Sequence, residues 1–207
     1  MGIRLLFLIM MFGLVLPAKA QYSDIGLLRN INKYNSAGLV GTSRFVSTTV
    51  TPVSIGLPVT LVVLGQISGD RTTFDNGFKS GIAITATVTT YTLLKYIVHR
   101  ERPYDSYPDI IKRSNESTPS FPSGHTSSAF CTATTLSLMY PKWFVIVSAY
   151  SWASMVAYSR MYLGMHYPSD VFAGAILGIG TSLLTFKFYK WVEKKKERGM
   201  HVVNHTW

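Results

Sequence analysis

Six polar side chains fall at the edges of apolar stretches: Lys95, Arg102, His125, Arg160, His166 and Asp170. A charge at the boundary of an apolar span is costly unless it has a partner or a use. Lys95 and Arg102 are seven apart, two helical turns, so a helix reaching that far would put both on one face before Pro103 ends it. Pro-Ser-Gly-His at 122 to 125 opens the next stretch. There Ser123 suits an N-cap, Gly124 lets the backbone approach a ligand closely, and the N–H groups of a helix start attract an anion. Ser159-Arg160, His166 and Asp170 bracket a short loop. Asp170, in the first turn after Pro168, is placed to accept a proton from a ring nitrogen of His166. Basic side chains, a helix start and a carboxylate-held imidazole suit binding an anion and moving a proton.

The elements that must bring these residues together are apolar. Of 207 residues, 47% are hydrophobic and only 14% charged, a balance too greasy for a disordered tail and unusual outside a membrane. Five apolar stretches, at 45–68, 80–98, 123–139, 143–159 and 171–186, are near the length of a membrane-crossing helix, and none alternates as a barrel strand would. The expected fold is therefore an all-α, polytopic bundle of about five transmembrane helices, six if the N-terminal segment is retained. Residues 1–20, with Arg4 before an apolar run and Ala18-Lys19-Ala20 at its end, match a signal peptide. Residues 21–44 then form an extracytoplasmic segment in which Ile25, Leu28 and Ile31 share one face of a short interfacial helix. Residues 45–190 are expected to form the membrane domain and 191–207 a basic cytoplasmic tail. The net charge of +10 is not clustered as a nucleic-acid groove requires. With the mature N-terminus outside, five crossings put 99–122 and 160–170 outside, although nine basic residues on each side leave charge counting tied.

The motifs resemble those of the type 2 phosphatidic acid phosphatase family, which shares its site with vanadium-dependent haloperoxidases. That family carries K-x6-RP, PSGH and SR-x5-H-x3-D in this order. Here they are KYIVHRERP from Lys95, PSGH from Pro122 and SRMYLGMHYPSD from Ser159, all without a departure. The resemblance implies phosphate binding by Lys95, Arg102, Arg160, Ser123 and the backbone N–H of Gly124. It also implies His166 as nucleophile, Asp170 as its orienting partner and His125 as general acid. The implied enzyme is a membrane hydrolase of a lipid phosphate or diphosphate, such as undecaprenyl diphosphate, phosphatidylglycerophosphate, phosphatidate or a lipid A phosphate. Its setting would be a bacterial inner membrane with the site facing the periplasm. Two rivals are a vanadate-dependent haloperoxidase and a non-catalytic lipid or anion binding or transport protein.

The physical reasons stand beside the resemblance. A transferring phosphoryl group keeps its negative charge in a five-coordinate transition state, so fixed cations and N–H donors are the main resource. A neutral imidazole held in one tautomer is a good nucleophile, and a second, protonated histidine can serve the leaving oxygen. No close carboxylate set or Cys/His quartet stands in the sequence, so no metal or cofactor is expected. The expected partners are the lipid substrate and membrane lipids, with no nucleic acid and no predictable protein partner. Arg100, Lys112 and Arg113 are expected in solvent or among headgroups, and His99, His201 and His205 at the interface or in the tail. Tyr162, Tyr167, Trp143 and Trp191 are expected to form an aromatic belt. Cys131 is expected to be a small buried core residue. The sequons at Asn115 and Asn204 carry no meaning in a bacterial compartment.

Overall fold

The computed structural model describes the backbone of residues 19–204 and the side chains of 24–195; most of the proposed signal segment lies outside that range. Among the described residues every regular element is a helix. They are α1 (Lys19–Asn32), α2 (Ala37–Thr48), α3 (Val50–Ser68), α4 (Arg71–Val98), α5 (Pro103–Ser106), α6 (Gly124–Met139), α7 (Trp143–Tyr162) and α8 (Pro168–Asn204).

Local chemistry sets the boundaries. Gly69 takes φ 69° after α3, and Asp70 then caps α4 by accepting from Thr72 N–H at 2.9 Å. His99, at φ 49°, ends α4 in the left-handed region. Ser123 caps α6, and Pro168 begins α8 where its missing N–H costs nothing.

All five apolar stretches become helices. The segments Ala37–Ser68, Arg71–Ser106 and Pro168–Lys195 are long and apolar enough to cross a membrane by themselves. The other two stretches form α6 and α7, which complete the bundle. α6 has 16 residues, and its Thr126, Ser127, Thr132, Thr134 and Thr135 are buried against its neighbours. Its hydroxyls bond back to carbonyls of the preceding turn, as Thr132 does to Ser128 at 2.9 Å, and across helices, as Thr132 does to Ser54 Oγ at 2.9 Å. These hydroxyls hold the bundle, as expected of them. Helices α6 and α8 approach so closely that a Cβ on Gly178 would lie 2.2 Å from the Ser127 carbonyl oxygen. The outer surface is apolar: Ile67, Phe172 and Trp143 are exposed, as befits a multi-pass membrane protein.

α1 is more than an interfacial helix. Its Ile25 and Leu28 are buried with Ile110 and Tyr167, so it packs on the end of the bundle where 99–123 and 163–167 connect the helices. The last helix runs unbroken through residue 204, so the expected tail continues α8.

Candidate active site

Helix α4 delivers Lys95 one turn before its end, but it does not reach Arg102. His99 breaks the helix, and Arg102 sits in extended backbone at the start of α5. The shared-face expectation is thus corrected: the two cations meet because the chain turns, not because one helix carries both. Lys95 bonds the Pro119 carbonyl, and Arg102 donates to the carbonyls of Thr118 (2.8 Å) and Met165 (2.9 Å). Arg160 comes from the last turn of α7 and donates to Ser47 Oγ of α2 at 2.6 Å. All three basic side chains are buried. The Arg160 Nε is buried with no hydrogen-bond partner among the described residues, as is the Arg113 Nε.

The two histidines differ. His166, wholly buried, follows the turn at Gly164, whose φ of 75° and lack of a Cβ let it lie against the Ile111 carbonyl. Its Nε2 lies 3.5 Å from Arg102 Nη1, and its Nδ1 faces Ser120 Oγ at 3.4 Å and Asp170 Oδ2 at 3.7 Å. Burial holds this imidazole well below its ordinary pKa, and the charges of Arg160 and Arg102 push the same way, so the ring is neutral near pH 7. His125, in the first turn of α6, is about a third exposed. Ser123 spends its hydroxyl within the cap, 2.9 Å from Thr126 Oγ1, while Gly124 packs against the ring of Tyr91, which a Cβ would approach to 3.1 Å.

Asp170 was expected to bond His166 directly. In the structure Ser120 stands between them, donating to Asp170 Oδ2 at 2.5 Å. The same carboxylate accepts Tyr167 N–H at 3.0 Å and Arg100 Nη1 at 2.6 Å. Arg100 also reaches Asp24 of α1 at 2.9 Å and lies 3.8 Å above the Tyr167 ring. Arg100 therefore belongs to the site's support and not to solvent. Arg113 is corrected likewise: it is buried, donating to the carbonyls of Tyr162 (2.8 Å), Asn32 (2.8 Å) and Tyr34 (3.0 Å). Lys112 stays outside, over the Tyr104 ring. Tyr162 and Tyr167 are buried, so only Trp143 and Trp191 remain as exposed belt candidates, and His99 serves as a helix terminus. Cys131 is buried and free, as expected.

One residue at the centre was not anticipated. Glu116, from the connection between α5 and α6, accepts from Arg102 Nη2 at 2.8 Å and from Arg160 Nη2, with its Oε1 3.6 Å from His125 Nδ1. Burial pushes its carboxyl up, but the surrounding positive charge, Arg160 foremost, holds it down to about 2. The site thus gathers three buried cations and two histidines around a seat that takes an anion.

Comparison with known proteins agrees with this geometry. The PAP2 superfamily model matches residues 76–194, which hold all three motifs. An undecaprenyl-diphosphatase of Sulfolobus acidocaldarius is 31% identical over 167 residues, 78% of this chain and 76% of that protein. The crystal structure of Aquifex aeolicus LpxE superposes with a TM-score of 0.69 at 26% identity, over 79% of this chain and 94% of that one. The PAP2-type phosphatidylglycerolphosphate phosphatase from Bacillus subtilis shares the fold, with a TM-score of 0.73 at 24% identity over 90% and 95% of the two chains. Motifs in order, a helical bundle that folds them into one anion seat, and matches spanning most of the chain lead to one placement: this is a PAP2 superfamily member, a lipid phosphatase of the membrane.

Proposed function

We propose that the enzyme hydrolyses a lipid phosphate or diphosphate through a phosphohistidine. The observation that carries this is the division of His166: Nδ1 faces the Ser120–Asp170 pair while Nε2 faces the guanidinium of Arg102. A neutral ring so held can attack with Nε2 a phosphorus atom whose oxygens lie on Lys95, Arg102 and Arg160. The N–H of Gly124 adds a donor at the start of α6, and Ser123 adds its own when its hydroxyl turns from Thr126 to the phosphate. The P–O bond to the lipid breaks as the P–N bond forms, and His125, which takes up a proton once the bound phosphate offsets the charge of Arg160 and Arg102, gives that proton to the departing oxygen. Water, deprotonated by His125, then attacks the phosphohistidine, releasing inorganic phosphate and restoring His166. Asp170 offsets the charge that His166 gains in the covalent state.

The relative named as an undecaprenyl-diphosphatase makes a polyprenyl diphosphate the first substrate to test. We place the site on the extracytoplasmic face of a bacterial inner membrane, with a signal peptide removed after Ala20, the phosphatase domain at 45–190 and the segment 191–207 in the cytoplasm. The test is a panel of undecaprenyl diphosphate, phosphatidylglycerophosphate, phosphatidate and lipid A phosphates in detergent, assayed for phosphate. Release from at least one, surviving EDTA and blocked by vanadate, is expected; total loss in chelator, restored by a divalent ion, rejects the mechanism. For sidedness, single cysteines at Ser106 and Lys195 in a Cys131→Ala background are treated with an impermeant thiol reagent on intact cells. Label at Ser106 and none at Lys195 is expected, and the reverse puts the chemistry in the cytoplasm.

A further inference from the structure

We propose that Glu116 is a resident counter-anion of the phosphate seat, occupying it in the empty enzyme and yielding it to phosphate. The inference rests on the phosphatase reading above and adds to it a residue outside the three motifs.

Three observations carry it. First, Glu116 holds the donors that a phosphate needs: its Oε2 takes Arg102 and its Oε1 takes Arg160 and faces His125. A carboxylate and a phosphate cannot both fill that space. Second, the cations need a partner when no substrate is present. Arg102 and Arg160 are 3% and 2% exposed, and buried like charges this close repel one another unless an anion separates them. Lys95 takes a backbone carbonyl instead, so among the described residues Glu116 is the carboxylate that touches the guanidinium pair. Third, Glu116 can leave. It lies outside any helix, its side chain is 20% exposed, and its own backbone is tied down separately, through Tyr104 Oη on the Glu116 carbonyl at 3.2 Å. The side chain can swing toward water while the loop stays in place. Because its carboxyl is held down to about 2, it remains charged at any pH near neutrality, so displacement and not protonation vacates the seat.

The consequence follows from linkage. A group that must be displaced lowers the affinity of every anion that displaces it by one common factor. Substrate, product phosphate and vanadate are all weakened alike. Weaker substrate binding costs nothing at saturation, whereas weaker product binding speeds release where release limits turnover. Glu116 therefore acts as a positioning residue in the empty state and as a competitor of the product.

The test uses the full chain in detergent, comparing wild type with Glu116→Gln, which keeps the shape and removes the charge, and with Glu116→Ala. Inorganic phosphate and vanadate are titrated as inhibitors, KM is measured for a hydrolysed lipid phosphate, and phosphate binding is followed separately by ³¹P NMR. Both inhibition constants and KM should fall together, by at least about tenfold, the scale of a charged hydrogen-bonded pair. The empty variants should melt below wild type, and saturating phosphate should close that gap. Constants that rise or stay unchanged would show Glu116 to be a clamp that orients the arginines for substrate, and would overturn the proposal. Phosphate and vanadate constants that move by unlike factors would overturn it too, whereas KM also carries the changed rate of product release. Because the NMR titration needs no turnover, a wild type that binds phosphate but releases none from any lipid defeats the hydrolase reading alone, and the variants still decide the role of Glu116.

Discussion

At the end of the bundle that carries the site, residues 99–123 and 163–167 connect the helices through side chains that bond backbone carbonyls, as Arg102 and Arg113 each do more than once. At the opposite end, Gly69-Asp70 joins α3 to α4 and residues 140–142 join α6 to α7. The ion pairs there, Arg71 with Asp75 and Lys79 with Glu193, are each open to water on at least one partner, and neither is fully buried. The site end buries the guanidinium groups of Arg102, Arg113 and Arg160 and needs long connections to satisfy them; the other end keeps its ion pairs at least partly in water and needs only turns. Charge burial thus marks function here, because nothing in the packing of five apolar helices asks for it.

The sharpest break of this contrast is at the histidines. His166→Ala should cost on the order of 10⁴-fold or more in kcat on both an alkyl phosphate and p-nitrophenyl phosphate, since it removes the covalent route. His125→Ala should cost about 10²- to 10⁴-fold on the alkyl phosphate and much less on p-nitrophenyl phosphate, whose leaving group hardly needs a proton. Burst kinetics must accompany the comparison, because slow phosphohistidine breakdown masks it. Identical leaving-group responses in the two variants would refute the division of roles.

Arg113→Ala probes the buried end without touching the seat. Three carbonyls lose the guanidinium, but the Tyr162 carbonyl keeps Asn32 Nδ2 and the Tyr34 carbonyl keeps Tyr162 Oη, so thermal or denaturant melting in detergent should show a loss of about 2 kcal/mol. A loss under about 1 kcal/mol would mean that water replaces the guanidinium and that this end is less dry than its burial implies. Ser120→Ala, which leaves Asp170 its bonds from Arg100 and Tyr167, should cost about 1 kcal/mol of stability and lower kcat about 10- to 100-fold with KM little changed. An unchanged kcat would reduce Ser120 to packing. The smallest effect is expected at the other end, where Arg71→Ala should shift stability by no more than about 0.5 kcal/mol.

The helices and the convergence of Lys95, Arg102, His125, Arg160, His166 and Asp170 were legible in the sequence, because apolar length and motif spacing are local properties. Glu116, Ser120, Arg100 and Asp24 were not, because each acts through partners far along the chain: Arg160 meets Glu116 across 44 residues and Ser120 meets Asp170 across 50. A signal for Glu116 did exist. Cations gathered at one level of a membrane protein demand an anion, and Glu116 is an acidic residue in the connection between the first two motifs. Arg100 and Arg113 were misjudged for a related reason, since the sequence does not reveal that carboxylates or carbonyls wait for them.

The clamp of Asp24 on Ser169 and Arg100 spans 145 residues in its longer arm. Loop closure over such a distance comes late in folding, after nearby helices have paired. During synthesis the cations at 95 to 113 therefore emerge long before Asp170 and the start of α8, and the machinery is completed only as the last helix enters the membrane. A chain stalled before residue 168 would therefore hold most of its spans but lack Asp170, the carboxylate on which Ser120 and Arg100 converge beside His166.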